Sequence, residues 1–250
     1  MAKIYNYRSK AITICLLLSS AVAMATNTAT TTGAWETASN WSSGTVPSAT
    51  DVVNIPAGIT ITIKVAGDVC ASLNIAATGD LIINSNESLS IGGSLTNAGT
   101  MLVASGSTLT FNGAANSIIS GGGTYTIAGT VAMNLGTSTT LLDVQDTKFI
   151  SGINGGGKYY FTFTRGTWKM DNTGTLNDAY NSGSNNALTI PYGVIIESDA
   201  GLMNLGKKAT TGNAILSGEL FINGGSVYLQ TGQAFNAGQD FQYTVNGGTP

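Results

Sequence analysis

Histidine is absent from the 250-residue sequence, cysteine occurs twice, proline four times, and charged residues make up only 9%. Without histidine, Ser-His-Asp triads, Cys-His pairs and most zinc ligand sets are excluded at once. Cys15 lies inside an N-terminal apolar run, so Cys70 is the single thiol of the remaining chain. No intrachain disulfide follows, and a lone thiol of this kind reads as a small buried hydrophobe. Beyond residue 25 there is no run of about 18 apolar residues, so no membrane-spanning helix is expected. Low charge does not mean disorder here, because hydrophobic residues reach 42%, enough for a core.

Residues 1–25 form a separate object. Lys3, Arg8 and Lys10 precede the apolar run 11–23, and Ala23-Met24-Ala25 offers small residues at a cleavage site. This is the pattern of a secretory signal peptide cut after Ala25, which places the protein outside the cytoplasm or on the outer cell surface without a transmembrane anchor. Its removal leaves seven basic against thirteen acidic residues, a net charge of −6. Such a balance argues against nucleic acid as a partner.

What the sequence does have is glycine, 33 in all, and rhythm. Gly92, Gly99, Gly106, Gly113, Gly121, Gly129 and Gly136 recur at intervals of seven or eight. Between them lie apolar couples at i, i+2, among them Leu73/Ile75, Leu81/Ile83, Leu89/Ile91, Met101/Val103, Leu109/Phe111 and Val131/Met133, with single residues such as Leu95 and Ile118 in the same series. Spacing of two puts both side chains of a couple on one face of a strand. A coiled-coil heptad would carry leucine and charge with almost no glycine, the reverse of what is found. Every third couple is about 22 residues on, as in Leu73 to Leu95, Leu89 to Leu109 and Leu109 to Val131. The fold class expected is therefore all-β, a three-sided parallel β-helix of about 22 residues per turn. Glycine at the corners would supply positive φ, with Asn84, Asn97, Asn112, Asn116 and Asn134 tolerating left-handed backbone nearby and stacking as ladders.

Around this stretch the chain divides into a signal peptide (1–25), a flexible leader (26–34), an N-terminal cap with the first strands (35–68), regular turns (69–134), irregular turns with a loop excursion (135–186), and further turns (187–250) that continue past the chain end. Trp35 and Trp41 sit where a solenoid needs its terminal cross-section covered, and a sugar platform is the functional alternative. The block Gly33–Gly58, with Trp35, Asn40-Trp41, Gly44, Pro47, Asp51, Val53, Ile55-Pro56 and Gly58, resembles the start of secreted surface proteins of the Bacteroidetes type, as do Cys70–Ile75, Ser94–Thr100 and Leu216–Gly225. The resemblance implies a right-handed parallel β-helix within a longer adhesin-like or stalk-like protein. The C-terminal sorting domain common in such proteins is not found in the sequence, and end-to-end association or chain continuation past Pro250 is expected.

Chemistry, if any, must come from carboxylates. The candidates are Asp143 with Asp146, Glu197 with Asp199, and Arg165 with Trp168 and Lys169, for calcium binding or acid/base work on polysaccharide. A regular turn length would bring Asp146 near Asp171 and Asp178 near Asp199. No residue is assigned a catalytic, cofactor or metal role. Calcium-roll repeats are missing, and Thr-x-Thr at Thr60/Thr62, Thr108/Thr110, Thr124/Thr126 and Thr162/Thr164 follows no single phase that could face ice. Two functions remain: a non-catalytic structural or adhesive module binding a glycan or surface protein, and a polysaccharide lyase or hydrolase working along residues 143–199.

Overall fold

The computed structural model describes residues 24–152, 160–179, 189–205, 215–229 and 242–245. Short parallel strands stack into a β-solenoid of about 7 turns with little helix. The chain visits three faces in rotation. Face one holds Ala25–Thr28, Asp51–Ile55, Ser72–Ile75, Leu95–Asn97, Ser117–Ser120 and Leu141–Val144. Face two holds Gly33–Ala34, Thr60–Ile63, Asp80–Ile83, Thr100–Val103 and Thr124–Ile127, and face three Asp68–Cys70, Ser88–Ile91, Thr108–Phe111 and Thr130–Asn134.

The couples read from the sequence are register partners: Leu73 lies over Leu95, Leu89 over Leu109, and Leu109 over Val131. Along each strand burial alternates, so that Ile61/Ile63, Leu81/Ile83 and Leu89/Ile91 face inward. Burying each such side chain contributes about 1.5–3 kcal/mol, repeated turn after turn. Ile118 departs from the expectation. It points outward at 40% exposure, while Ile119 is buried and pairs with Leu95. The corner after Phe111 is longer than the one after Ile91, and a one-residue slip reverses which side chain faces the core.

The glycine beat has a different cause from the one expected. Of the seven, only Gly106 and Gly121 have positive φ, at 82° and 120°. Four of the others, Gly99, Gly113, Gly129 and Gly136, sit where the turn below comes too close for a side chain, while Gly92 has only ordinary contacts around it. A Cβ on Gly99 would meet the carbonyl oxygens of Gly79 and Ala76, one on Gly113 that of Gly92, and one on Gly129 those of Ser107 and Ala104. None of the five asparagines named above takes left-handed backbone; Thr78 and Asn86 do. The observed amide ladder is elsewhere, on the outside of face one, where Asn74 Nδ2 donates to Asn54 Oδ1 at 2.9 Å. Asn97 is buried instead, donating to Thr124 O at 3.1 Å and accepting from Gly99 N–H at 3.0 Å.

At the N-terminal end, residues 26–34 are not a free leader. Thr26 to Thr28 pair with Val52 to Asn54, and Gly33-Ala34 with Ile61-Thr62. Segment 40–45 runs along the outer side of that first strand: Thr30 N–H donates to Asn40 O, Ser42 N–H to Thr28 O, and Asn27 Nδ2 to Thr45 O at 2.8 to 3.0 Å. Trp35 and Trp41 are buried edge to face, ring centroids 5.0 Å apart. The Trp41 indole N–H donates to Trp35 O at 2.7 Å.

Past Asn134 the stack changes. Helix Thr147–Gly152 occupies the place of a face-two strand, packed between Thr124–Ile127 and Thr175–Ala179. The strand Tyr160–Met170 then joins two faces, pairing with Thr130–Asn134 over its first half and with Leu141–Val144 over its second, bent at Gly166 with φ 118°. Phe149 of the helix is fully buried and meets Tyr125 edge to face at 5.2 Å, with Trp168 at 6.3 Å. Face one continues through Val194–Ser198, Glu219–Ile222 and Gln242–Val245. Residues 1–23, which hold most of the expected signal peptide, and Gly155–Tyr159, Asn181–Asn186 and Gly247–Pro250 lie outside the described residues.

Candidate functional site

The outward side of face one changes character along the solenoid axis. Early turns present Asn54, Asn74, Thr96 and Ser120. Later turns present charge. Parallel pairing stacks Asp143, Lys169 and Glu197 in one row, because alternate residues of each strand point outward and the inward neighbours Leu142, Trp168 and Ile196 hold the register. One step along, directly after the paired Val144, Met170, Ser198 and Ile222, come Gln145, Asp171, Asp199 and Asn223.

Lys169 Nζ lies 2.7 Å from Asp199 Oδ2 and 3.8 Å from Asp171 Oδ2. Asn223 Nδ2 donates to both Glu197 Oε1 at 2.7 Å and Asp199 Oδ1 at 2.9 Å. Asp143 accepts from Gln145 Nε2 at 2.8 Å through Oδ2, while its Oδ1 is buried without a partner. The hydrogen bond to Asp199 raises the Lys169 ammonium above its ordinary value, with the charges of Asp143 and Asp171 adding to it. Burial and the neighbouring Asp199 charge raise Glu197. Burial works the same way on Asp199, but the bonds from Lys169 and Asn223 outweigh it and hold Asp199 below the ordinary range. The two carboxyls are therefore split: as pH falls, Glu197 takes a proton first and Asp199 keeps its charge beside Lys169.

Four of the seven candidates thus come together: Asp143, Lys169, Glu197 and Asp199. The other three do not. Asp146 is buried at the start of helix Thr147–Gly152, where Oδ1 accepts the Lys148 N–H at 2.9 Å and Oδ2 the Gly122 N–H at 2.7 Å, the work of an N-cap. Arg165 lies at the corner before Gly166 and donates from Nε to Leu135 O at 2.7 Å. Trp168 points into the core against Phe161 and Phe163. With Trp35 and Trp41 buried as well, no tryptophan offers a ring face to a sugar. Asp178 lies on Thr175–Ala179, in a separate sheet with Leu202–Leu205 and Ser226–Leu229, whereas Asp199 follows Val194–Ser198 on face one, so the two are not stacked in one row.

Gln145 and Asn223 join the site without having been singled out for it, and Asp171, considered as a row partner of Asp146, joins it beside Lys169 instead. The signal that places them is the register rather than a fixed period, since the steps from Asp143 to Lys169 and from Lys169 to Glu197 are both longer than the regular turn from Leu73 to Leu95. Tyr192, on the turn entering Val194–Ser198, is 90% exposed. Among the described residues no group of three or more His, Cys, Asp or Glu is arranged to hold a metal ion. The Thr-x-Thr pairs divide between two faces. Thr60/Thr62 and Thr124/Thr126 share face two with Asp80/Ile82 and Thr100/Leu102 between them, so no continuous threonine column arises.

Among the described residues no helix is long and apolar enough to cross a membrane. Comparison with known proteins returns no match: no family model, no curated protein and no solved structure resembles the chain at a significant level. The class is defined by the fold alone, a parallel β-solenoid.

Proposed function

We propose that the chain is a secreted or cell-surface structural and adhesive module, of the kind found in Bacteroidetes-type surface proteins, which displays its faces for glycan or protein binding and is not an enzyme. The observation that carries this reading is the state of the charged cluster. Lys169 is paired with Asp199, and Asn223 ties Glu197 to Asp199, so these four side chains are engaged with one another along the strand face. Aliphatic stacking through successive turns suits a stiff spacer, in which each turn is stabilised by its neighbours. We further propose that segment 40–45 and the Trp35/Trp41 pair serve as the N-terminal cap, and that residues 1–25 are the export signal.

A second reading, a β-helix polysaccharide lyase or hydrolase, is favoured by the split between Glu197 and Asp199 beside Lys169, an arrangement in which one carboxyl takes up a proton more readily than its neighbour. One experiment separates the two. The chain from Thr26 onward is applied to a glycan array and in parallel incubated with acidic and neutral polysaccharides. The module reading expects binding without product release. Product release that Glu197→Gln abolishes, with the fold intact by circular dichroism, would overturn it in favour of the enzyme.

A further inference from the structure

Among the described residues, the N-terminal end of the solenoid has one outermost strand per face: Ala25–Thr28, Gly33–Ala34 and Asp68–Cys70. A bare edge of such a stack is a template for another chain. On face one the edge is covered by segment 40–45, which meets the first strand antiparallel at Ala29 and Trp41. On face two the edge strand is only two residues long, and a side chain then takes over what backbone does elsewhere. Asn84, Ala104 and Ala128 each donate N–H to a carbonyl of the turn before, those of Ile63, Ile83 and Val103. Lys64 holds the same position one turn earlier, and its N–H goes to Glu36 Oε1 at 2.6 Å, with Val65 N–H on the same oxygen at 2.8 Å. Trp35 O, the carbonyl that would continue this ladder, accepts the Trp41 indole instead.

Face three is protected differently. Parallel pairing sets Asp68 beside Leu89, Val69 beside Ser90 and Cys70 beside Ile91. Leu89 and Ile91 are wholly buried, so Asp68 stands at an inward position, heading a column that runs on through Leu89, Leu109 and Val131. Every later member of that run is aliphatic. The carboxyl gains nothing from the core beneath it: its Oδ2 is shut off from water and has no hydrogen-bond partner. An ionisable group at such a place is tolerated while solvent reaches one side of the residue, and becomes costly once another strand is laid over it. An inward-pointing charge is one of the devices by which sheet edges resist pairing.

We propose that Asp68 is a gatekeeper: facing inward at the edge of face three, it refuses the end of a second copy of this chain, so that the first turn is a finished end and any self-association uses other surfaces. The folded chain gives up some stability for this, since leucine or valine at position 68 would complete the column. The role goes beyond that of segment 40–45 and is independent of it: the segment covers face one, while Asp68 guards face three.

The test is sedimentation velocity over about a hundred-fold range of protein concentration, together with urea unfolding, on the chain from Thr26 onward. Asp68→Leu is expected to raise the urea midpoint and to sediment as growing assemblies at concentrations where the wild type keeps one size. Ser90→Leu places the same side chain on the outward side of the next strand, and it should sediment like the wild type. Wild-type sedimentation of Asp68→Leu, a lower urea midpoint in that variant, or equal association of Ser90→Leu would each overturn the proposal. Should Asp68→Leu not fold, Asp68→Ala removes the carboxyl without filling the column, and its sedimentation decides by the same criterion.

Discussion

A glycine in this chain matters for what lies beneath it more often than for its own φ. At Gly99 the missing side chain leaves room for the carbonyls of Gly79 and Ala76, whereas Gly44 has φ 69° and nothing within 4 Å of where a Cβ would sit. Gly99→Ala is therefore expected to cost about 2 kcal/mol or more, because backbone must shift, and Gly44→Ala about 1 kcal/mol, from conformational strain alone. Urea unfolding midpoints of the two variants measure the difference. The charged residues follow similar local logic. Asp199, held below the ordinary carboxylate range, contributes stability that is present above that range and is lost as pH falls through its folded value. Glu197 is shifted the opposite way, so its contribution belongs to low pH and declines as pH rises through its folded value. Carboxyl NMR on the pair should show Glu197 protonating first, and Asn223→Leu should bring Asp199 closer to its ordinary value by removing a shared donor.

Among elements, helix Thr147–Gly152 is the exception that organises its surroundings. A strand in its place would have continued face two; the helix instead inserts Phe149 between Phe111, Tyr125 and Trp168, with ring centroids at 5.2 to 6.4 Å. Its first turn is secured by Asp146, whose two oxygens accept backbone N–H groups from the helix and from Gly122. Phe149→Ala should cost about 3–5 kcal/mol and shift the fluorescence of Trp168, the ring it covers. Thermal unfolding followed by tryptophan emission checks both. Sequence periodicity located the irregular region around this helix, since the rhythm of the couples loosens after Met133. It did not reveal the helix, which is a turn and a half long and carries too little amphipathic pattern to register.

At the level of the whole molecule, Tyr160–Met170 carries the stack onward on faces one and three, while face two is interrupted between Thr124–Ile127 and Thr175–Ala179. In a solenoid each turn contacts only its neighbours, so a break in one of three faces weakens coupling at that point. Hydrogen exchange by mass spectrometry is expected to show peptides from 51–134 opening as one cooperative block and peptides from 189–229 as another. A single opening event across both would contradict this. The charge distribution runs along the same axis: amide and hydroxyl groups line face one in early turns, charged groups in later ones.

Composition and alternation by themselves determined the class of fold, its inward couples from Leu73 to Met133, and the buried state of Cys70, because a parallel stack repeats the same local demand at every turn. Asp143, Lys169, Glu197 and Asp199 were legible as candidates too, since charge is rare enough here for each group to stand out. Their assembly into one cluster, with Asp171 and Asn223, was decided only by the tertiary structure. The longer turns around the helix set which residues lie one above another, and turn length is fixed by corner packing rather than by any pattern within a strand. The bonds from the Lys64 and Val65 amides to Glu36 have the same origin: they exist because one circuit of the solenoid returns the chain to within reach of itself.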